Sequence, residues 1–92
     1  MVSCDTTNYG CNGGYLDEEW YFLEAKGTVT DACWPYQSGS GSVPKCRTTC
    51  VDGSAMKFYK SVTGSLVELA DVTSIKMELM ANGPVETGFT VY

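Results

Sequence analysis

The sequence predicts a mixed fold class that contains both helices and strands. Residues 16–26 carry apolar side chains at helical spacing, and a second helical pattern follows Asp71. Residues 85–92 instead alternate between apolar and polar side chains, which is typical of a strand with one buried face. A chain of 92 residues forms one small domain or a piece of a larger one.

The first helix is expected over residues 16–26. Its apolar side chains, Leu16, Trp20 and Leu23, fall on one face. Three acidic residues occupy the first turn, where carboxylates complement the helix dipole. Gly27 provides a C-terminal stop, because glycine readily takes the left-handed conformation. We therefore expect an ordinary amphipathic helix whose apolar face packs on a core.

The second half of the chain predicts a strand, a helix and another strand. Residues 56–63 contain enough aromatic and β-branched side chains for a strand. Asp71 is the expected N-cap of the helix, which ends at the turn 82–84, Asn-Gly-Pro. The apolar face of this helix consists of Val72, Ile75 and Leu79. Residues 85–92 then form the second strand.

Five cysteines and no histidine leave three interpretations open: a disulfide framework, a four-cysteine zinc site, or buried free thiols. Zinc sites usually offer two close pairs, whereas only Cys46 and Cys50 are close here. Disulfides are the preferred interpretation; they indicate an oxidising compartment, and no metal or other cofactor is expected. An odd cysteine is left over, which indicates a reactive thiol, an intermolecular bond or a partner outside this chain.

Composition also limits the partners and the chemistry. The net charge is −5 and the six basic residues are scattered, so nucleic acid is not an expected partner. No apolar run approaches the length that crosses a bilayer, so no membrane partner is expected. Without histidine, the chain cannot assemble a Ser-His or Cys-His pair, and we expect no catalytic residue within it.

Four short motifs occur in a distinctive order. They are VSCD at 2–5, GCNGG at 10–14, CWPY at 33–36 and NGPVETGF at 82–89. Together they resemble the middle of a papain-like cysteine peptidase, nearest to the cathepsin B branch, and the resemblance covers essentially the whole chain. It implies the two-domain papain-like α+β fold. Residues 1–60 would belong to the helical domain, with disulfide-pinned loops, and residues 61–92 would begin the β-rich domain.

The resemblance implies a fragment of an enzyme that hydrolyses peptide bonds. In this family the nucleophilic cysteine and an oxyanion-hole glutamine precede such a stretch, and a histidine and an asparagine follow it. The isolated fragment is therefore expected to be inactive, with protein or peptide substrates and the remainder of the peptidase chain as partners. The implied location is a lysosome, a vacuole-like compartment or the extracellular space. The alternatives from other classes are a secreted disulfide-rich binding module with no catalytic role and a zinc-binding structural module.

The family's bridging pattern implies particular cysteine pairs. Carried over to this sequence, it joins Cys4 to Cys46 and Cys33 to Cys50. Cys11 would pair with a cysteine in the missing upstream part. The odd number of cysteines is then what a truncated chain should have.

The resemblance also implies substrate-binding residues. Family members bind the substrate as an extended strand, and this role falls on Gly14, with Gly13 beside it, because a glycine leaves the backbone edge open. Tyr15 and Leu16 would flank the pocket for the substrate residue two before the cut. Gly88 would form the far wall of that pocket.

One departure from cathepsin B carries information. Cathepsin B has a long insertion between the cysteines that match Cys33 and Cys46, and its histidines hold the C-terminal carboxylate of the substrate. The corresponding interval here is much shorter and has no histidine. We therefore expect an enzyme without the occluding loop, which acts as an endopeptidase.

Overall fold

Two helices and one short 3₁₀ turn are the regular elements of the computed structural model, which describes residues 1–91. The 3₁₀ turn covers Gly10–Asn12, helix α1 covers Leu16–Ala25 and helix α2 covers Val72–Asn82. Loops and turns make up the rest of this range, apart from two isolated antiparallel bridges. These bridges pair Thr28 with Tyr59 and Thr49 with Ala55.

Helix α1 ends within one residue of the predicted position. The N–H groups of Lys26 and Gly27 both donate to the carbonyl of Phe22, at 2.8 and 3.2 Å. Gly27 has a φ of +79°, the left-handed conformation that stops the helix. The predicted helix and its stop are confirmed. Its apolar face is only partly covered, because Leu16 remains 48% exposed.

Helix α2 also has the predicted ends. The Asp71 carboxylate accepts a hydrogen bond from the Ser74 N–H at 3.0 Å, so Asp71 is the N-cap. Gly83 follows the helix with a φ of +106°, and its N–H donates to the carbonyl of Leu79. No side chain of α2 is fully buried, and Val72 on the predicted apolar face is 68% exposed.

The two predicted strands do not form in the described part of the chain. Within 56–63, only Tyr59 forms a bridge, exchanging hydrogen bonds of 2.9 and 2.8 Å with Thr28, and the Ser61 N–H makes a single further bond of 3.4 Å to the Leu23 carbonyl. Residues 85–91 have no bridge, and Tyr92 lies outside the described residues. A strand needs a second backbone along its whole length to receive its N–H and C=O groups. Because these segments lack such a partner here, the structure contains only the helical part of the expected α+β class.

Two disulfides fasten the N-terminal half. Cys4 bonds to Cys46 and Cys33 bonds to Cys50, which are the pairs that the resemblance implies. The Val51 N–H reinforces the second bridge by donating to the Cys33 carbonyl at 2.9 Å. Cys50 is also the only buried apolar side chain within residues 1–91, at 5% exposure. The one buried apolar side chain of the described residues therefore belongs to this bridge.

Candidate functional site

A polar turn near the N-terminus anchors the site. Asp5 is only 8% exposed, and one of its carboxylate oxygens accepts hydrogen bonds from the Thr7 N–H and hydroxyl, at 3.0 and 2.7 Å. The other oxygen accepts from the Asn8 side-chain amide at 2.6 Å. Burial alone raises the pKa of the Asp5 carboxyl, but the hydrogen bonds from Thr7 and Asn8 outweigh it and lower the pKa below its ordinary value. The carboxylate therefore stays ionised and holds the Asn8 side chain in place.

Asn8 reaches across the glycine turn to the residue before α1. Its side-chain oxygen accepts a hydrogen bond from the Tyr15 N–H at 2.7 Å, seven positions along the chain. The turn between them closes through the Tyr9 N–H, which donates to the Gly13 carbonyl at 2.8 Å. Gly13 has a φ of +96°, so a glycine is required there for conformation alone.

Gly14 needs to be a glycine for a different reason. A Cβ built on Gly14 would lie 2.7 Å from the Asn8 Cβ and closer still to the Asn8 carboxamide. Real Cβ atoms essentially never approach a neighbour this closely. The contact with Asn8 therefore excludes any side chain at this position.

The backbone N–H and C=O of Gly14 make no hydrogen bond within residues 1–91, whereas those of both neighbouring residues do. Gly13 uses its carbonyl for Tyr9 and its N–H for Gly10, and Tyr15 uses its N–H for Asn8 and its carbonyl for Glu19. Within residues 1–91, neither the N–H nor the C=O of Gly14 has a hydrogen-bond partner. Gly14 itself is exposed.

Four of the five predicted site residues meet at one cavity. Gly13, Gly14, Tyr15 and Leu16 all line a cavity of about 180 Å³ between the glycine turn and the start of α1. Gly88 does not line this cavity, and a Cβ built on Gly88 would approach one of the lining residues, Leu16, whose Cδ1 would lie at 3.9 Å.

Two glutamates that the sequence analysis did not select also line this cavity. They are Glu19 from α1 and Glu86 from the segment after α2. Burial raises the pKa of the Glu86 carboxyl, and repulsion from Glu19 and a hydrogen bond with Glu19 raise this pKa further. A hydrogen bond from Trp20 opposes this rise in pKa only in part, and repulsion from Asp17 adds to it. The cavity therefore has an acidic wall in which Glu86 binds its proton more tightly than an ordinary glutamate.

Other chemical groups are few. Cys11 has a free, exposed thiol, with Sγ 4.0 Å from the carbonyl oxygens of Ser38 and Ser42. The sequence has no histidine that could pair with it. Residues 1–91 bring together no group of three or more His, Cys, Asp or Glu side chains that could hold a metal ion. Over the same range, neither helix has the length and apolar content needed to span a membrane.

Comparison with known proteins assigns the chain to a family. The family model described as "Papain family cysteine protease" matches residues 1–92. This chain belongs to the papain family of cysteine proteases. It is 43% identical over 93 aligned residues to cathepsin B-like CP3 of Giardia intestinalis and 38% identical to cathepsin B-like CP2 of the same organism. It is 30% identical to cathepsin B of Dictyostelium discoideum.

These alignments cover the whole chain but only part of the relatives. The papain-family chain described here spans 31% of the length of the two Giardia relatives and 34% of the Dictyostelium one. It thus corresponds to about a third of a cathepsin B-like protein. The disulfides and the glycine turn both lie within this shared third.

The residues that support the glycine turn were not predicted from the sequence. Asp5 and Asn8 were given no role in holding the turn, Glu19 was assigned only to the helix dipole, and Glu86 was given no role of its own. An aspartate followed by threonine two positions later and asparagine three positions later is a usable signal for the Asp5 turn, because Asp side chains commonly bond to backbone N–H groups nearby. No comparable local pattern indicates the bond from Asn8 to Tyr15.

Proposed function

We propose that this chain is the part of a cathepsin B-like cysteine endopeptidase that forms one wall of the substrate cleft. The nucleophilic cysteine, the histidine and the asparagine lie outside these residues in this proposal. The thiolate attacks the scissile carbonyl carbon, the amine leaves with a proton from the imidazole, and water then hydrolyses the thioester. The 92 residues bind the substrate but carry out no step of this chemistry.

The open backbone of Gly14 is the observation that carries the proposal. An extended peptide adds to a protein edge by exchanging N–H and C=O hydrogen bonds with it. Gly14 offers both groups, and both its neighbours in the chain are already bonded. The cavity beside Gly14, lined by Tyr15 and Leu16, is then positioned to receive a substrate side chain.

The large exposed surface supports the role of the remainder of the peptidase as a partner. The chain exposes 7167 Å², whereas a folded monomer of 10.0 kDa exposes about 5200 Å². Its radius of gyration is 14.8 Å, compared with about 12 Å for a folded domain of this length. Many large apolar side chains are exposed, including Met80 at 89% and Phe89 at 82%. This surface is suited to contact with further parts of a larger domain.

The same proposal accounts for the single free thiol and for the division of the chain. Cys11 bonds to a cysteine outside these residues, and its exposed Sγ supports this pairing. Residues 1–60 belong to the helical domain of the enzyme, and residues 61–92 begin its β-rich domain, where the strand partners for 85–91 lie. The enzyme acts on proteins or peptides in a lysosome, a vacuole-like compartment or the extracellular space, where its disulfides persist.

Endopeptidase activity is the finer part of the proposal. The short interval between Cys33 and Cys46 has no room for a long insertion and no histidine to hold a substrate carboxylate. A peptide and its C-terminally amidated twin should therefore be cleaved at equal rates by the complete enzyme. Rapid stepwise release of C-terminal dipeptides from the free acid, and not from the amide, would contradict endopeptidase activity.

The main test compares the 92-residue chain with the protein encoded by the complete gene. We expect the complete protein to cleave a fluorogenic peptide and to be inactivated by thiol alkylation, while the 92-residue chain shows no turnover. In the 92-residue chain, Cys11→Ser serves as the control for its one free thiol. Turnover by the 92-residue chain that Cys11→Ser abolishes would refute the proposal. A complete gene that encodes no cysteine and no histidine outside these 92 residues would also refute it.

A further inference from the structure

The side chains of Asp5 and Asn8 form a continuous connection to the glycine turn. Asp5 holds the Asn8 amide at 2.6 Å, and Asn8 holds the Tyr15 N–H at 2.7 Å. Asp5 is itself fixed by two hydrogen bonds from Thr7. A primary amide can donate and accept at once. Asn8 therefore links the buried Asp5 carboxylate to the backbone before α1 and fixes the position of that backbone.

This connection determines which backbone groups stay open. Because Asn8 accepts the Tyr15 N–H, this N–H cannot also donate to an incoming peptide. By filling the space beside the Gly14 Cα, it also limits how the Gly14 peptide units can rotate. Gly14 is left with its N–H and C=O as one defined donor and acceptor pair.

We propose that Asp5 and Asn8 are positioning residues that hold the Gly14 edge in the orientation that an extended peptide requires. This inference rests on the proposed function, since it assigns the support of the substrate-binding edge. Both side chains also line the cavity beside Gly14, and the role assigned to them here is to hold the backbone of Gly14. Their effect is on binding, because the edge contacts the substrate before and during the reaction.

A pair of exchanged residues tests this role. Asp5→Asn places an amide opposite the Asn8 amide, and Asn8→Asp places a second carboxylate opposite Asp5 at 2.6 Å. The double variant D5N/N8D restores the connection in reverse. The new amide donates to the new carboxylate, which still accepts from the Tyr15 N–H, and the Thr7 bonds keep their acceptor.

The chain offers a matched control. Asp52 accepts hydrogen bonds from the Ser54 N–H and hydroxyl at 2.9 and 2.6 Å, the same local arrangement as Asp5 with Thr7. Asp52 is exposed and does not line the cavity beside Gly14. Asp52→Asn should leave the kinetics unchanged.

The measurement is KM and kcat for a fluorogenic peptide, in the complete enzyme, with active sites titrated so that only folded enzyme is counted. Each single variant should raise KM about tenfold and change kcat less than about twofold, because a binding contact is weakened. The double variant should return KM to within about twofold of the wild type. Amide hydrogen exchange at Tyr15 should be fast in both single variants and slow in the wild type and the double variant.

Two results would overturn the positioning role: single variants with wild-type KM, or a double variant as weak as the weaker single one. Loss of kcat with unchanged KM would also overturn it. A wild-type enzyme that cleaves no peptide refutes the proposed function itself, and the positioning role with it. If the wild-type enzyme cleaves the peptide but the variants give one of these contrary KM or kcat results, only the positioning role is refuted.

Discussion

Replacing Gly27 by alanine is expected to weaken the fold strongly, because two separate constraints meet at this buried residue. Its φ of +79° lies in the left-handed region. A Cβ at this position would lie 2.6 Å from the carbonyl oxygen of Tyr59, which is backbone and cannot rotate away. That carbonyl accepts the Thr28 N–H at 2.9 Å, and the Tyr59 N–H returns a bond of 2.8 Å.

The magnitude follows from these two constraints. The left-handed conformation costs about 1–2 kcal/mol for alanine. Displacing Tyr59 breaks the two hydrogen bonds with Thr28, at about 1 kcal/mol each. The smaller conformational freedom of alanine in the unfolded chain returns about 0.4–1 kcal/mol. We therefore expect Gly27→Ala to lower the free energy of unfolding by about 3 kcal/mol.

Two other glycines serve as controls that distinguish the cost of the left-handed conformation from the cost of the steric clash. Gly53 has a φ of +86° with nothing within 4 Å of its Cβ position, so Gly53→Ala should cost only about 1 kcal/mol. Gly39 has neither constraint, and Gly39→Ala should change stability by less than about 0.5 kcal/mol. Urea unfolding followed by tryptophan fluorescence measures all three. A Gly27→Ala variant as stable as Gly53→Ala would refute the steric part of the reasoning.

Three further predictions concern Glu86, Asp71 and Cys11. Because folding raises the pKa of Glu86, the free energy of unfolding falls as pH rises from the pKa of the unfolded chain through that of the folded one. Glu86→Gln should therefore raise the urea midpoint at about pH 7 and leave it unchanged at about pH 3. Equal effects at the two pH values would contradict the raised pKa. Asp71→Ala should lower the helix signal in circular dichroism, whereas Asp71→Asn, which keeps the capping oxygen, should retain it; equal loss in both would exclude capping. Thiol titration in denaturant should find one thiol per chain and none in Cys11→Ser, and any other count would contradict the two bridges.

The helix ends could be predicted because their causes are local. Asp71 bonds to a backbone N–H three residues away, and Gly27 and Gly83 stop their helices by their own conformational freedom. Such features need only a few neighbouring residues. The sequence contains all the information that decides them.

The strands could not be predicted from alternation alone. A period of two describes how side chains point, but a strand also needs a second backbone to bond with. Tyr59 finds one partner residue in Thr28, and 85–91 find none within the described residues. The alternation in 85–91 is therefore typical of a strand, but this segment forms no bridge with another backbone within the described residues.

The candidate site was predicted through its glycines but not through their support. Gly14 was selected because it leaves an edge open, and the structure adds that Asn8 fills the space a side chain would need. The bond from Asn8 to Tyr15 crosses a turn whose shape depends on Gly10 and Gly13 together. Residue spacing does not reveal which of several polar side chains such a turn brings into range.

The two disulfides have a consequence for the loop of alternating serine and glycine at 38–42. Residues 39–42 are exposed, and both bridges cross this loop, since Cys4 and Cys33 precede it and Cys46 and Cys50 follow it. A single cut in 39–42 would produce two peptides that remain covalently linked twice. A protein cut here would thus remain one covalently linked molecule until both bridges were reduced.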